Sequence, residues 1–326
     1  MKPATIVIAI VGLVLGTAVI GWFGFGAVAH AFLAVGWTGF AAICAFHAMV
    51  YCLLGLAWWA ILPPARDVSL PVLIAARVVR DSGSEVLPLS QIGGFVMGAR
   101  AATLLGLPAA ASSASTIVDV TLELVAQIAY VALGLGLLLW YRPGSPLAAP
   151  VAVGIAVAVV LALAFITVQR RGLELVERLA YRLASRWLPA ATARAAPVQQ
   201  AVQAIYRHGS GIRIGLVLHV AGWIGNGIEA WIALSFLGAP LGLGPVLAIE
   251  SLLYAARSVA FAVPNAVGVQ EGVYVLLGGV FGLPPETALA LSLIKRARDL
   301  AIGVPALLAW QAVEGGRIWR RGAKSA

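Results

Sequence analysis

The chain has 326 residues, of which 61% are apolar and 11% are charged, against about 45–50% and about 25% in soluble domains. Its formal net charge is +9, but no basic run alternates with aromatic residues, so we predict no nucleic-acid partner. The composition excludes an ordinary soluble domain. It favours an all-α polytopic membrane protein whose basic residues set its topology.

Cysteine and histidine usage points to no bound metal. Cys44 and Cys52 lie on one predicted helix, about 12 Å apart along its axis, which is too far for a disulfide bond. The four histidines are scattered, and no metal-binding spacing is present. We therefore predict no metal site and no cofactor.

Six windows are long enough to cross a bilayer, which takes about 20 apolar residues. They span roughly residues 4–28, 37–62, 110–140, 147–168, 213–237 and 286–313. The first window could instead be a signal peptide, since Ala27-Val28-Ala29 resembles a cleavage site. Its apolar run is longer than usual for such a peptide, so we expect it to be retained as a span.

Loop charges orient these spans. The segment 169–213 carries eight arginines against Glu174 and Glu177, a formal +6, whereas the loops predicted on the opposite side hold one basic residue, Arg142. Because cytoplasmic loops are rich in Lys and Arg, we predict that both termini and this segment are cytoplasmic. Residues 173–188 show helical periodicity, which suits an amphipathic helix on anionic headgroups or a linker helix packed on the bundle.

Two apolar stretches, 70–108 and 245–283, do not fit as single crossings. With the orientation above, the first must begin and end on the cytoplasmic side and the second on the outer side. Proline and glycine interrupt both stretches, so we predict two oppositely oriented re-entrant hairpins. Their predicted breaks are at Pro88, Gly93, Gly94, Pro264, Gly268 and Gly272.

The two stretches are related by the shift in numbering that carries Pro88 onto Pro264, which we call the repeat shift. The same shift carries Gly-Leu-Pro at 106–108 onto Gly-Leu-Pro at 282–284. Identity around them is thin, and chance similarity of apolar, Gly-rich segments is the alternative. Combined with the opposed topology, the repeat shift predicts an inverted-repeat transporter core. The predicted parts are a membrane half over 1–168, a basic linker over 169–212, a second membrane half over 213–316 and a basic tail over 317–326.

Ionised side chains at membrane depth cost several kcal/mol unless they are paired or hydrated, so they usually mark a polar pathway. Glu271 lies in the second broken stretch, and Lys295, Arg296 and Arg298 follow in the next helix. Three cations with fewer acids nearby predict an anionic ligand group, since Arg suits phosphate. Asp119 and Glu123 share a helix face, where they either line the pathway or fix helix register as ion pairs.

Four stretches carry a family resemblance: EVLPLSQIGGFVMGAR (85–100), STIVDVTLELVAQ (115–127), PNAVGVQEG (264–272) and SLIKRARD (292–299). They resemble the transmembrane (flippase) region of lysylphosphatidylglycerol synthases, and most closely the stand-alone branch associated with bacterial hopanoid-biosynthesis gene clusters. The resemblance implies a multi-pass protein of the bacterial cytoplasmic (inner) membrane with a membrane lipid as its substrate. The lipid-path residues that it implies are Gln91, Gly93, Gly94, Arg100, Asp119, Glu123, Gln270, Glu271, Lys295, Arg296 and Arg298.

These observations favour a lipid transporter, or flippase, that moves a phospholipid, a hopanoid or an isoprenoid-linked lipid between leaflets. The synthases append a soluble aminoacyl-transfer domain, whereas this sequence ends in a short basic tail after Glu314, so we expect no enzymatic lysylation and predict no catalytic residues. A membrane-embedded lipid-modifying enzyme with Asp119 and Glu123 on a metal–diphosphate is one alternative. A scaffold that binds lipid-biosynthetic enzymes is another, and the oligomeric state, a homodimer included, stays open.

Overall fold

The computed structural model describes residues 25–64, 68–87, 90–183, 188–239, 241–260, 266 and 268–322. Within these ranges the chain forms ten helices and no strand. They are α1 Phe25–Ala60, α2 Leu70–Val86, α3 Ser90–Leu104, α4 Ala109–Tyr141, α5 Ala148–Leu183, α6 Leu188–Arg207, α7 Gly209–Phe236, α8 Leu243–Val259, α9 Val269–Val280 and α10 Pro285–Gly322.

Four of these helices are long and apolar enough to cross a membrane. The apolar segments are Val35–Ala60, Ala109–Tyr141, Ala148–Arg170 and Gly209–Phe236, and they coincide with four of the six predicted windows. In the third segment, in α5, only 6% of the most apolar window is buried, so most of its surface is free to face lipid. The prediction of a helical membrane protein is therefore confirmed.

The other two predicted spans are not among these four helices. Most of the window at 4–28 lies outside the described residues. The window at 286–313 lies within α10, where Lys295, Arg296, Arg298 and Asp299 interrupt the apolar sequence. Crossing by these two segments stays a prediction. The predicted amphipathic segment at 173–188 covers the end of α5 and residues outside the described ranges, and its side chains are not among those described.

The two stretches predicted as hairpins each form a pair of short helices. The helices α2, α3, α8 and α9 have 17, 15, 17 and 12 residues, or at most about 26 Å at about 1.5 Å per residue. That is less than the roughly 30 Å of a hydrocarbon core. In the first pair the helices are antiparallel, because Gly94 lies against Ser84 and Gly98 against Arg80.

The structure corrects three of the predicted break positions. Gly93 and Gly94 lie inside α3, and Gly272 lies inside α9. A Cβ atom on Gly94 would overlap Ser84 Oγ and would lie 2.5 Å from the Arg80 carbonyl oxygen, so this glycine lets α2 and α3 pack closely. Gly268 precedes α9 with φ +79° and does lie at a break, while Pro88 and Pro264 lie outside the described residues.

Helices α1 to α4 correspond to α7 to α10 under the repeat shift. The helices α1 and α7 end at Ala60 and Phe236, and α4 and α10 begin at Ala109 and Pro285. The turns before α4 and α10 match in detail. In each turn a glycine has positive φ (Gly106 and Gly282), which is a common helix ending.

The hydrogen bonds of these turns recur under the same shift. Leu107 N donates to the Ala102 carbonyl oxygen at 3.0 Å, and Leu283 N donates to the Gly278 carbonyl oxygen at 2.8 Å. The repeat shift carries both atoms of the first bond onto those of the second. The two turns thus have the same local structure despite their thin sequence identity.

The corresponding helices α1 and α7 pack against each other and run antiparallel. Gly225 lies against Val50, and Gly222 lies against Leu54, so the residue numbers fall along one helix as they rise along the other. Packing also crosses between the two sets of four helices, since α2 packs on α10 and α8 packs on α4. The breaks of the two helix pairs lie towards the centre of this packing.

Candidate functional site

A cavity of about 320 Å³ with several charged side chains in its wall lies between the two helix pairs, and we call it the central cavity. Glu85 and Gln91 line it from either side of the first break, and Ala260 and Ala266 line it at the second. Both breaks therefore open into one space. The other lining residues are His47, Val50, Tyr51, Leu54, Arg77, Asp81, Ser84, Phe95, Val120, Glu123, Leu124, Gln127, His219, Gly222, Trp223, Asn226, Tyr254, Arg257, Ser258, Arg298 and Asp299.

An ion pair joins the two helix pairs at this cavity. Arg257 Nη2, from α8, donates to both carboxylate oxygens of Glu85, from α2, at 2.7 and 3.0 Å. Arg257 Nη1 also donates to Gln270 Oε1 at 3.2 Å. The pair fixes the two breaks relative to each other.

A first charged cluster joins α2, α4 and α7. Arg77 donates to Glu123 at 2.7 Å and to Asp119 at 3.2 Å. Arg80 donates to Asp119 at 2.5 Å and also to Glu123. Asp119 is fully buried, and its second oxygen lies 2.9 Å from His219 Nε2. Buried carboxylates need such partners, and here the partners are two guanidinium groups and an imidazole.

A second charged cluster joins α1, α7 and α10. Arg298 Nη1 donates to the two carboxylate oxygens of Glu229 at 2.7 and 2.9 Å, and Arg298 Nη2 lies 2.8 Å from Asp299 Oδ1. His47 Nδ1 lies 2.6 Å from Glu229 Oε2. Glu229 is fully buried, so it depends on both partners for its charge.

Lys295 pairs next to this cluster and not in the cavity. Its Nζ atom lies 2.6 Å from Glu250 Oε2, and the Tyr274 hydroxyl donates to Glu250 Oε1 at 2.5 Å. Lys295 is buried and does not line the central cavity. Its side chain therefore ties α10 to α8 and α9.

Glu271 and Arg296 hold the start of α9. The Glu271 carboxylate accepts hydrogen bonds from the Gly268 backbone N–H at 2.8 Å and from Arg296 Nε at 2.7 Å. The first bond caps the helix N-terminus, where a carboxylate is favourable. Gln270 donates to Ser292 Oγ at 2.9 Å. These residues lie behind the second break and do not line the cavity.

Arg100 lies away from the other predicted site residues. Its side chain is 49% exposed and pairs with Glu314 at 2.7 Å, so it ties α3 to α10 outside the cavity. Of the predicted lipid-binding residues, the structure brings Glu123 and Arg298 to the cavity wall, along with Gln91. Asp119 lies directly behind Glu123.

The predicted excess of cations near Lys295 is wrong. Lys295, Arg296 and Arg298 each meet a carboxylate, from Glu250, Glu271 and Glu229 respectively. These acids belong to α8, α9 and α7, so sequence proximity does not reveal the pairing. Among the lining residues described, three arginines face four carboxylates, from Asp81, Glu85, Glu123 and Asp299.

Sequence reasoning missed the two cavity histidines and the aromatic wall. His47 and His219 looked scattered because they are far apart in sequence, yet α1 and α7 bring both to the cavity. Trp223 and Tyr254 form an edge-to-face pair with ring centroids 4.6 Å apart, and Trp223 Nε1 donates to the Glu123 carbonyl oxygen at 3.2 Å. The signal in the sequence that could have pointed to these residues was the presence of polar side chains within apolar windows.

The chemical character of the cavity is that of a binding site for a polar group. Charged walls, the amides of Gln127 and Asn226 and the aromatic pair surround a volume at the lower end of the usual range for ligand sites, about 300–1,000 Å³. Across the described residues, no three His, Cys, Asp or Glu side chains are grouped to hold a metal ion.

Comparison with known protein families gives a match over most of the chain. The model of the family described as Lysylphosphatidylglycerol synthase TM region matches residues 9–306, which include every residue that lines the cavity. Comparisons with curated proteins and with solved structures found no match.

Proposed function

Since this chain belongs to the family of the Lysylphosphatidylglycerol synthase TM region, we propose that it is a flippase that moves a polar-headed lipid between the two leaflets of its membrane. The observation that carries the proposal is the central cavity, where the breaks of two short helix pairs meet. Ionisable side chains at membrane depth usually mark a substrate or ion pathway. The headgroup occupies the cavity during transfer, while the acyl or isoprenoid chains stay in the surrounding lipid.

The helix pairs supply the moving parts in this proposal. We infer that α2/α3 and α8/α9 are re-entrant hairpins entering from opposite faces. Their lengths, the antiparallel packing of α1 on α7 and the repeat shift support an inverted repeat. Two equivalent arrangements of such a repeat would open the cavity to one face and then to the other. The Glu85–Arg257 pair must break or slide between them, because it spans both hairpins.

The chemistry of the cavity limits the cargo. Because the arginines already hold carboxylates, a phosphate headgroup must displace one of those carboxylates or bind through the amides and aromatic rings. A phospholipid, a hopanoid or an isoprenoid-linked lipid with hydroxyl, amide or zwitterionic groups suits this wall. Transfer would take place in the bacterial inner membrane.

The alternative functions have less support. For a lipid-modifying enzyme, Asp119 and Glu123 would have to release Arg77 and Arg80 before binding a metal–diphosphate. A scaffold for biosynthetic enzymes has no need for a polar cavity. It predicts co-purifying enzymes and tolerance of substitutions in the cavity wall.

The test is lipid transfer in reconstituted vesicles. A fluorescent phospholipid analogue on the outer leaflet is bleached with dithionite, and the rate at which the inner pool becomes accessible is measured. Ser258→Trp fills the cavity, and Ser210→Trp, at an exposed position at the start of α7, is the matched control. We expect the first to slow transfer by about tenfold or more, equivalent to about 1.4 kcal/mol, and the second to match wild type.

Two results would contradict the proposal. Transfer by the wild type no faster than in protein-free vesicles, across phospholipid, hopanoid-like and isoprenoid-linked analogues, overturns the flippase assignment. Normal transfer by Ser258→Trp shows that the central cavity is not the route.

A further inference from the structure

One ring nitrogen of His47 faces two partners with opposite requirements. Nδ1 lies 2.6 Å from Glu229 Oε2 and 2.5 Å from Arg298 Nη1. If Nδ1 carries a proton, it donates to the carboxylate, but its N–H then points at the guanidinium N–H and the two donors repel each other. If Nδ1 carries a lone pair, it accepts a hydrogen bond from Arg298, but the lone pair then faces the carboxylate oxygen and the two acceptors repel each other. The location of one proton therefore decides which contact is made.

The other buried histidine–carboxylate pair lacks this conflict. His219 Nε2 lies 2.9 Å from Asp119 Oδ1, and no arginine contact to its ring is found among the described residues. A single N–H donor on Nε2 satisfies that contact. His219 also lines the central cavity, so it serves as an internal comparison for His47.

The charged groups around His47 carry one more negative charge than positive charge when the imidazole is neutral. Arg298 contributes one positive charge, whereas Glu229 and Asp299 contribute two negative charges. A proton on His47 brings this set to neutrality, which matters at membrane depth because unbalanced charge there is costly. Lys295 and Glu250, which lie next to the set, already balance each other.

Water in the central cavity can supply that proton. His47 lines the cavity together with Arg298 and Asp299 from α10. Its own helix contributes Tyr51, whose ring lies edge-on to the imidazole at 4.4 Å, and α2 contributes Asp81 and Glu85 to the same wall. Glu229 reaches the His47 ring from α7. The site therefore connects solvent in the cavity with the contacts among α1, α7 and α10.

We propose that His47 and Glu229 form a proton-binding site that couples lipid transfer to a proton gradient. This inference rests on the proposed function. Proton uptake gives Nδ1 an N–H that donates to Glu229, and the contact between Arg298 and His47 is lost. Arg298 stays with Glu229 and Asp299. The link from α1 to α10 is thus weakened when the proton is bound and restored when it leaves.

The experiment imposes a pH difference across the reconstituted vesicles. The steady-state distribution of the fluorescent phospholipid analogue between leaflets is measured with and without the gradient, and again after a protonophore. If one proton moves with each lipid, one pH unit supports up to about tenfold enrichment in one leaflet. His47→Gln should lose this response, which is measured relative to its own transfer without the gradient. His208→Gln, which lies outside the cavity, should keep both lipid transfer and this response.

The outcomes separate the two proposals. Transfer by the wild type with a distribution that ignores the gradient overturns the coupling alone. No transfer by the wild type overturns the proposed function and the coupling with it. A response that survives in His47→Gln assigns the proton to another group and overturns the site.

A second measurement does not depend on the variant folding. In the wild-type protein labelled with 15N-histidine, the ring nitrogens of His47 should change chemical shift when the proposed site takes up its proton as the pH of the solution is lowered. The signal is assigned by its absence from His47→Gln or, if that variant does not fold, from His47→Asn. A His47 ring whose chemical shifts show no change of protonation overturns the site.

Discussion

Arg257 Nη2 donates to both carboxylate oxygens of Glu85, at 2.7 and 3.0 Å, although the two residues are 172 positions apart in sequence. Each lies within a few residues of a break in a short helix pair, Glu85 at the end of α2 and Arg257 at the end of α8. The pair is therefore one of the contacts between the two halves of the protein at the central cavity. Any motion that separates the breaks must act on it.

Removing one partner of this pair should destabilise the fold. Glu85→Gln or Arg257→Gln removes one charge of a largely buried ion pair, and such a change costs about 3–5 kcal/mol for fully buried pairs. We expect the low end, because both side chains keep some exposure. Thermal unfolding of the detergent-solubilised protein measures the change. Exchanging the charges, with Glu85→Arg and Arg257→Glu together, should recover part of the loss, and no loss in either single variant would contradict a structural role.

Gly94 and Gly272, which were both predicted as breaks, should respond differently to substitution by alanine. In Gly94→Ala the new methyl group meets Ser84 and the backbone of Arg80, so we expect a loss of about 1–3 kcal/mol from overpacking. In Gly272→Ala the methyl group points into open space, and the lower entropy of the unfolded chain should stabilise the protein by about 0.4–1 kcal/mol. The comparison is made by melting temperature. Equal effects would show that α2 and α3 are not closely packed at Gly94.

Asp119 and Arg100, which were both predicted as lipid-binding residues, should also differ in how much stability is lost when each is substituted. Asp119→Asn leaves two buried guanidinium groups with fewer counter-charges, so we expect a loss of about 3–5 kcal/mol or a failure to fold. Arg100→Gln breaks an exposed pair with Glu314, which is worth about 0–1 kcal/mol. Expression level and melting temperature distinguish the two. A marked loss of lipid transfer in a stable Arg100→Gln protein would restore Arg100 as a site residue.

The topology can be tested with single cysteines in a background where Cys44 and Cys52 are replaced by serine. Ser145→Cys lies in the turn between α4 and α5, and Ser210→Cys lies at the start of α7. By the distribution of arginines, a membrane-impermeant maleimide should label the first in intact cells and the second only after lysis. The reverse labelling pattern would invert the predicted orientation. Labelling of both in intact cells would contradict three crossings of alternating direction by α4, α5 and α7.

The sequence alone determined which segments are helical and apolar. Twenty or so consecutive apolar residues leave few options other than a membrane-spanning helix, because backbone groups in lipid must be satisfied within the helix. It also located the repeat shift, since proline and glycine mark helix ends by local backbone geometry. Gly106 and Gly282 show this most clearly, because both have positive φ in matching turns.

Only the tertiary structure decided how the charges are neutralised and which polar groups meet. Lys295 finds Glu250, 45 residues away, and Arg298 finds Glu229, 69 residues away. The sequence shows the run of cations but not their partners, because an ion pair depends on distance in space and leaves no periodic pattern along the chain. His47 and His219 reach one cavity for the same reason, through the antiparallel packing of α1 on α7. Arg100 has the right residue type and a matching motif, but its helix face directs it away from the cavity to Glu314.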